Sequence, residues 1–323
     1  MSATTATSSE RAAHLTAPRP LGDRIFSIAA AAAGLLVLVI LVLIALSTGN
    51  EARPWFAAEG LTGILSNNWD PASGHYGALA FIYGTLLTSA IAIAIAVPVS
   101  LGIALLVTEV VPRRVAQPIV WLIDLLAVVP SVVFGLWGIL VFAPWIAPHY
   151  KGIADAVDGI PVLGTVFGAP TSGLSFFTAG LILAVMIVPI VTSLSREVIA
   201  TTPPIEREAA YALGATKLEM ITGAVWPHSK GGVVGAVMLG LGRAMGETIA
   251  AALVIGSSAQ ITAHLFSTGD SMPAVIANQF GEASGLQRSA LIGLGVVLFL
   301  ITIVVNIAAR AVVQRSMAKS RGA

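Results

Sequence analysis

The sequence predicts an all-α integral membrane protein with six membrane-spanning helices, on three observations. First, the 323 residues are 56% hydrophobic and only 10% charged, too little charge to cover the surface of a soluble protein of this length. Second, six runs have the length and apolarity of a spanning helix: 25–46, 81–107, 115–142, 176–194, 231–255 and 291–312. Third, Lys and Arg are distributed unevenly between the loops that six spans would create.

Taken in order, residues 1–24 are rich in Ser, Thr and Ala and read as a disordered cytoplasmic tail. The run 25–46 is long enough to span and lacks a cleavage motif, so it reads as the first helix and not as a signal peptide. An outer loop, 47–80, carries Trp55 and Trp69. Another, the Pro/Gly-rich run 144–173, carries Trp145 and Tyr150 and reads as short amphipathic elements on the outer surface. Both termini and the second and fourth loops fall on one side. That side holds Arg11, Arg19, Arg24, Arg113, Arg114, Arg196, Arg207, Lys217, Lys230, Arg310, Arg315, Lys319 and Arg321, against only Arg53, Lys151 and Arg288 opposite. The positive-inside rule therefore places both termini in the cytoplasm. Residues 313–323 form a cytoplasmic tail.

The segment 195–230 is too polar to span and too patterned for a plain linker. Thr202 can cap a helix with Pro203 and Pro204 in its first turn, where a missing N–H costs least. That helix runs through 206–213, and Gly214 can end it in a left-handed conformation. Thr216 and Glu219 make a capping box for a second helix, expected to stop near Pro227. The pattern is a helix–turn–helix at the cytoplasmic surface, with Ala209, Ala210 and Ala212 allowing another surface to approach. From pattern alone it can equally pack on its own bundle.

Arg243 and Glu247 lie one helical turn apart inside the fifth run. A single Arg at membrane depth costs about 2.5–3.5 kcal/mol on insertion scales, and an i,i+4 pair returns only about 0.2–0.5 kcal/mol. Two readings compete. The pair can neutralise itself and orient the helix, or Arg243 can offer a fork of donors to an oxyanion while Glu247 keeps the anion from binding too tightly to leave. Gly235, Gly242 and Gly246 share a face beside the pair and would let another helix approach closely. Ser131 follows Pro130 inside the third run, where the proline frees a carbonyl and kinks the helix; its hydroxyl can meet an anion or bond its own backbone. Asp124 reads as structural, snorkelling or paired with Arg113 or Arg114. Thr85, Thr88 and Ser89 read as packing residues.

Other chemistry is excluded. Zero cysteines rule out disulfides and thiolate metal sites, and the five histidines lack metal-ligand spacing, so neither metal nor cofactor is expected. No histidine lies inside a spanning run, which argues against an intramembrane enzyme. A nucleotide-binding G-x-x-x-x-G-K-[ST] loop is absent.

Glu208-Ala209-Ala210, followed after three residues by Gly214, resembles the EAA signature of bacterial ABC-importer permeases. The run 240–248, GLGRAMGET, is similar to one in the phosphate-importer members of that family, as are 129–138 (VPSVVFGLWG), Tyr76-Gly77 and 81–85 (FIYGT). The resemblance covers about residue 69 to the end. It implies the MetI-like, type I importer architecture, with a permease core over 81–312, and a non-catalytic subunit forming half of a phosphate pathway. Glu208, Ala209, Ala210 and Gly214 would couple to an ATPase; Arg243, Glu247, Ser131 and Thr248 would serve translocation. The implied partners are a second homologous permease, a cytoplasmic ATPase dimer, an extracytoplasmic phosphate-binding protein, membrane lipid and inorganic phosphate, with no nucleic acid. Importers of sulfate, molybdate or phosphonate are the alternative, and an ion-coupled secondary transporter using Glu247 and Asp124 a more distant one.

Overall fold

A computed structural model describes residues 21–168, 170 and 172–321, with side chains up to residue 311. The described residues up to Asn50 and those from Glu51 onward form two compact units. Helix α1, Leu21–Glu59, starts within the segment expected as a tail, most of which lies outside the described residues. From Leu35 to Ile44 its large apolar side chains are exposed, as a lipid-facing helix requires.

In the second unit, a single turn α2 (Thr62–Leu65) and a two-residue hairpin (β1, Trp69–Asp70; β2, His75–Tyr76) lead into α3, Leu79–Leu105. A π-helical turn extends α3 to Val110. α3 packs along the central helix α8, Phe176–Ala200, through Ala92, Ala96, Ala184 and Ile187. Thr85 and Thr88 are buried and donate to the carbonyls one turn back, and Ser89 is buried beside them, as packing residues should be. The Thr85 hydroxyl also accepts from the Met272 amide at 2.9 Å, at the start of α13 (Met272–Gln279). Around it Trp55, Phe81, Met272, Leu291 and Leu294 form a second cluster, joined to the last helix, α14 (Gly285–Arg321). The backbone stays helical through most of the expected C-terminal tail.

Two expected spans are not single helices. The run 115–142 is cut at Val129-Pro130, both extended, into α4 (Arg113–Val128) and α5 (Ser131–Trp137). A proline withdraws a donor and biases its predecessor away from helix. Past the break, α5 continues through a π turn into α6, Ala143–Val157, so the long apolar helix here is Ser131–Val157. The Pro/Gly-rich run after it carries α7, Pro161–Phe167. Asp124 on α4 is exposed and pairs with neither Arg113 nor Arg114. The run 231–255 is likewise cut, into α11 (Trp226–Gly246) and α12 (Ile249–Val254). Five helices among the described residues are thus long and apolar enough to cross a membrane; 231–255 supplies two pieces in place of a sixth.

Candidate functional site

The two breaks are neighbours. A Cβ on Gly135 would lie 2.9 Å from the Ala250 Cα, and one on Gly138 would lie 2.6 Å from Val254. The register rises in step on both helices, so α5 and α12 run parallel, with α5 starting about three residues, or about 4.5 Å, before α12. Backbone contact this close needs glycine on one side. Three of the residues singled out in sequence lie at these breaks. Ser131 opens α5, half-buried behind Pro130. Glu247 ends α11 in an extended conformation, and its carboxylate accepts a long hydrogen bond from the Ala250 amide, 3.4 Å. Thr248 precedes α12 and donates to the Gly246 carbonyl at 3.2 Å.

Arg243 sits in the last turn of α11, exposed, with no hydrogen bond or ion pair among the described residues. The self-neutralising pair with Glu247 does not form, because the helix ends at Gly246 and the i,i+4 geometry ends with it. Arg243 faces a cavity of about 770 Å³ between α11 and α14. Gly235 and Gly242 border this cavity, and a Cβ at either, or at Gly246, would meet nothing within 4 Å. The close helix approach expected at this face therefore occurs elsewhere within the chain. Gly232 takes Val198, and Gly240 takes Val191, both from α8.

A second locus is the hairpin that follows α8. Helix α9, Pro204–Ala212, has Pro203 at its N-cap and Pro204 at its first position. Thr202 does not cap it: its hydroxyl is buried without a partner, while its carbonyl accepts from Arg207 at 3.0 Å. Gly214 then adopts φ +83°, the left-handed conformation expected of it. Thr216 and Glu219 form both halves of a capping box over α10, Lys217–Met220. Pro227 does not stop the chain. A π turn, Ile221–Val225, carries the helix into α11, and Pro227, which lacks an N–H, follows directly after that turn. Glu208 and Ala209 are exposed and Ala210 is half-buried, while Ile205 and Leu213 project at 73% and 89% exposure.

Arg207 fixes this hairpin. Its guanidinium donates to Glu109 at 2.8 Å, to the Ile199 carbonyl at 3.1 Å and to Thr202. Glu109, on the π turn ending α3, is mostly buried at 7% side-chain exposure. Sequence reading passed over Glu109, whose one signal was a lone carboxylate at the end of an apolar run. It also passed over Thr302 and Asn306 on α14 and used Arg310 only for topology; all three border the same cavity as Arg243. Their signal was polar spacing of four in an otherwise apolar helix.

Residues 96–317 match the model of the family described as binding-protein-dependent transport system inner membrane component. The chain belongs to this family. Among curated relatives of this permease, the phosphate transport system permease protein PstC of Xylella fastidiosa (strain Temecula1) is 43% identical over 91% of each chain. That of Haemophilus influenzae is 42% identical over 93% of this chain and 95% of its own, and PstC 2 of Mycobacterium tuberculosis is 41% identical over 91% and 93%. In fold, the permease is similar to a chain of the inward-facing MetNI methionine ABC transporter, with a TM-score of 0.53 at 15% identity, covering 77% of this chain and 99% of that one.

Proposed function

We propose that the chain is one of two permease subunits of an ATP-driven phosphate importer in the cytoplasmic membrane, with both termini in the cytoplasm. The reading is carried by the guanidinium of Arg243, which has no ion pair among the described residues and faces a cavity one turn before the break at Glu247. Broken helices expose polar backbone beside a cavity, the usual setting for a transported ion. Ser131 and Thr248 add hydroxyl oxygens beside the two breaks, and Glu247, committed to the α12 amide, tempers the field so that the anion can leave. The relatives named as phosphate permeases support phosphate as that anion. The hairpin between α8 and α11, with Glu208, Ala209, Ala210 and Gly214, docks on the ATPase dimer. A second homologous permease completes the pathway, and an extracytoplasmic phosphate-binding protein delivers the substrate. The chain itself catalyses nothing.

Arg243 is the residue to change. Arg243→Lys keeps the charge and loses the planar fork, and Arg243→Ala loses both. Both variants are expected to impair phosphate uptake by the assembled four-component complex, with assembly near normal for Lys. Wild-type uptake by Arg243→Ala would remove Arg243 from the pathway.

A further inference from the structure

Helix α14 is apolar enough to cross a membrane, yet Thr302, Asn306 and Arg310 recur on it every four residues. This spacing puts them on one face, over about 12 Å of helix. That face borders the cavity shared with α11, and Arg243 looks in from the other side. Polar side chains at membrane depth are retained where they face a cavity or another protein group. No Asp or Glu borders the cavity among the described residues, and Arg310, like Arg243, has no ion-pair partner there. The lining therefore offers donors in excess and no competing carboxylate, which suits an anion.

We propose that Thr302, Asn306 and Arg310, with Arg243 across the groove, form a track for a protonated oxyanion leading away from the helix breaks. It rests on the reading of the chain as a phosphate permease and extends it to a helix not so far assigned to the path. The hydrogen bonds already made define the chemistry. The Asn306 amide nitrogen donates to the Thr302 carbonyl at 2.9 Å, and the Thr302 hydroxyl donates to the Leu298 carbonyl at 2.8 Å. Asn306 Oδ1 and Thr302 Oγ1 are left as acceptors in a cavity that the Arg243 and Arg310 guanidiniums also border. Arginine attracts any oxyanion; the two acceptors favour one that still carries a proton to donate, as phosphate does near neutral pH. Gly235 and Gly242 keep the opposite wall clear.

The chain has no cysteine, so single-cysteine variants report on one position each. Thr302→Cys, Asn306→Cys and, as a control, Val304→Cys on a different face are placed in the complete complex in inverted membrane vesicles. An anionic methanethiosulfonate is then applied with and without inorganic phosphate, and labelling of this chain is read by mass. Positions 302 and 306 are expected to label about tenfold faster than 304, since a polar cavity admits the reagent and lipid does not, and phosphate is expected to slow both. Absence of labelling at 302 and 306, as when a helix of the second permease fills the groove, overturns the track. So does labelling that phosphate leaves unchanged. Should the cysteine variants fail to assemble, Arg310→Gln is measured for uptake: a loss of about tenfold is expected for one transported-ion contact, and wild-type uptake overturns the track. Failure of the track with uptake still sensitive to Arg243→Ala leaves the permease reading intact, whereas an unaltered complex that imports no phosphate removes that reading itself.

Discussion

Glu109 and Arg207, separated by 98 positions in the chain, meet at 2.8 Å and lock the end of α3 to the first turns of α9. The two partners are not equivalent. Glu109 loses one charged contact when changed, whereas Arg207 also satisfies the Ile199 and Thr202 carbonyls at the end of α8. Arg207→Ala leaves a buried carboxylate and two carbonyls without their donor, at a cost of about 3 kcal/mol or more. Glu109→Gln keeps an acceptor and is expected to cost about 1 kcal/mol. Protease cleavage within 201–216 of the assembled complex is the measurement, and Arg207→Ala should be cut much faster than Glu109→Gln. A double reversal, Glu109→Arg with Arg207→Glu, should not recover, because a carboxylate cannot donate to the two carbonyls. Recovery would reduce the cluster to a simple ion pair.

Gly214 makes a cleaner test of the hairpin's aim. Its φ of +83° strains any side chain, yet a Cβ there would meet nothing within 4 Å. The cost of substitution is therefore backbone strain alone, about 1 kcal/mol or more for a β-branched residue and less for Asn. If this hairpin docks on the ATPase, Gly214→Val should lower phosphate-stimulated ATP hydrolysis while Gly214→Asn stays close to wild type. Undiminished coupling in an assembled Gly214→Val complex would remove the role given to Gly214.

These residues also mark what the sequence made legible. Gly214, the Thr216–Glu219 capping box and the six apolar runs are local signals, written in neighbouring residues. The Pro130 break was half legible: a kink was foreseen, while the full rupture that ends α4 at Val128 depends on how α5 seats against α12. The break at Glu247 was missed because GLGRAMGET reads as helix throughout; only the carboxylate turned back onto the Ala250 amide reveals the new start. Thr202 looked like a cap because Ser and Thr usually are, yet here Pro203 takes that position. Glu109 could not be joined to Arg207 by any local pattern, since what unites them is the packing of α3 on α8.

Asp270, in the segment 256–271 between α12 and α13, supplies a pH dependence. It is 5% exposed, and burial raises its carboxyl to about 7, against a smaller lowering by the Ser271 amide that donates to it at 2.8 Å. The folded protein thus holds this proton more tightly than the unfolded chain does. Its contribution to stability is fully present below the unfolded value of 3.8 and is lost as pH rises through about 7. Asp270→Asn removes the titration. The variant should melt at a temperature that is flatter between pH 5 and 8, and higher than wild type at pH 8. A melting profile parallel to that of wild type across this range would mean that Asp270 carries no such linkage.

Glu247 decides between selectivity and charge balance. Its carboxylate caps α12 through one long hydrogen bond, which a Gln carbonyl can replace at little cost. Glu247→Gln is therefore expected to keep the break and the level of the two half-helices while removing one negative charge from the path. A carboxylate accepts a hydrogen bond from a protonated oxyanion and repels a fully ionised one. Phosphate near neutral pH retains protons and sulfate does not. With a binding protein altered to deliver both anions, the Gln variant should gain sulfate flux relative to phosphate. The cap sharpens the comparison, because Glu247→Ala removes the acceptor as well and should slow both anions together by loosening α12. An unchanged sulfate-to-phosphate ratio in the Gln variant would leave Glu247 with only capping and charge balance, and would place all discrimination in the binding protein and the donors that flank the cavity.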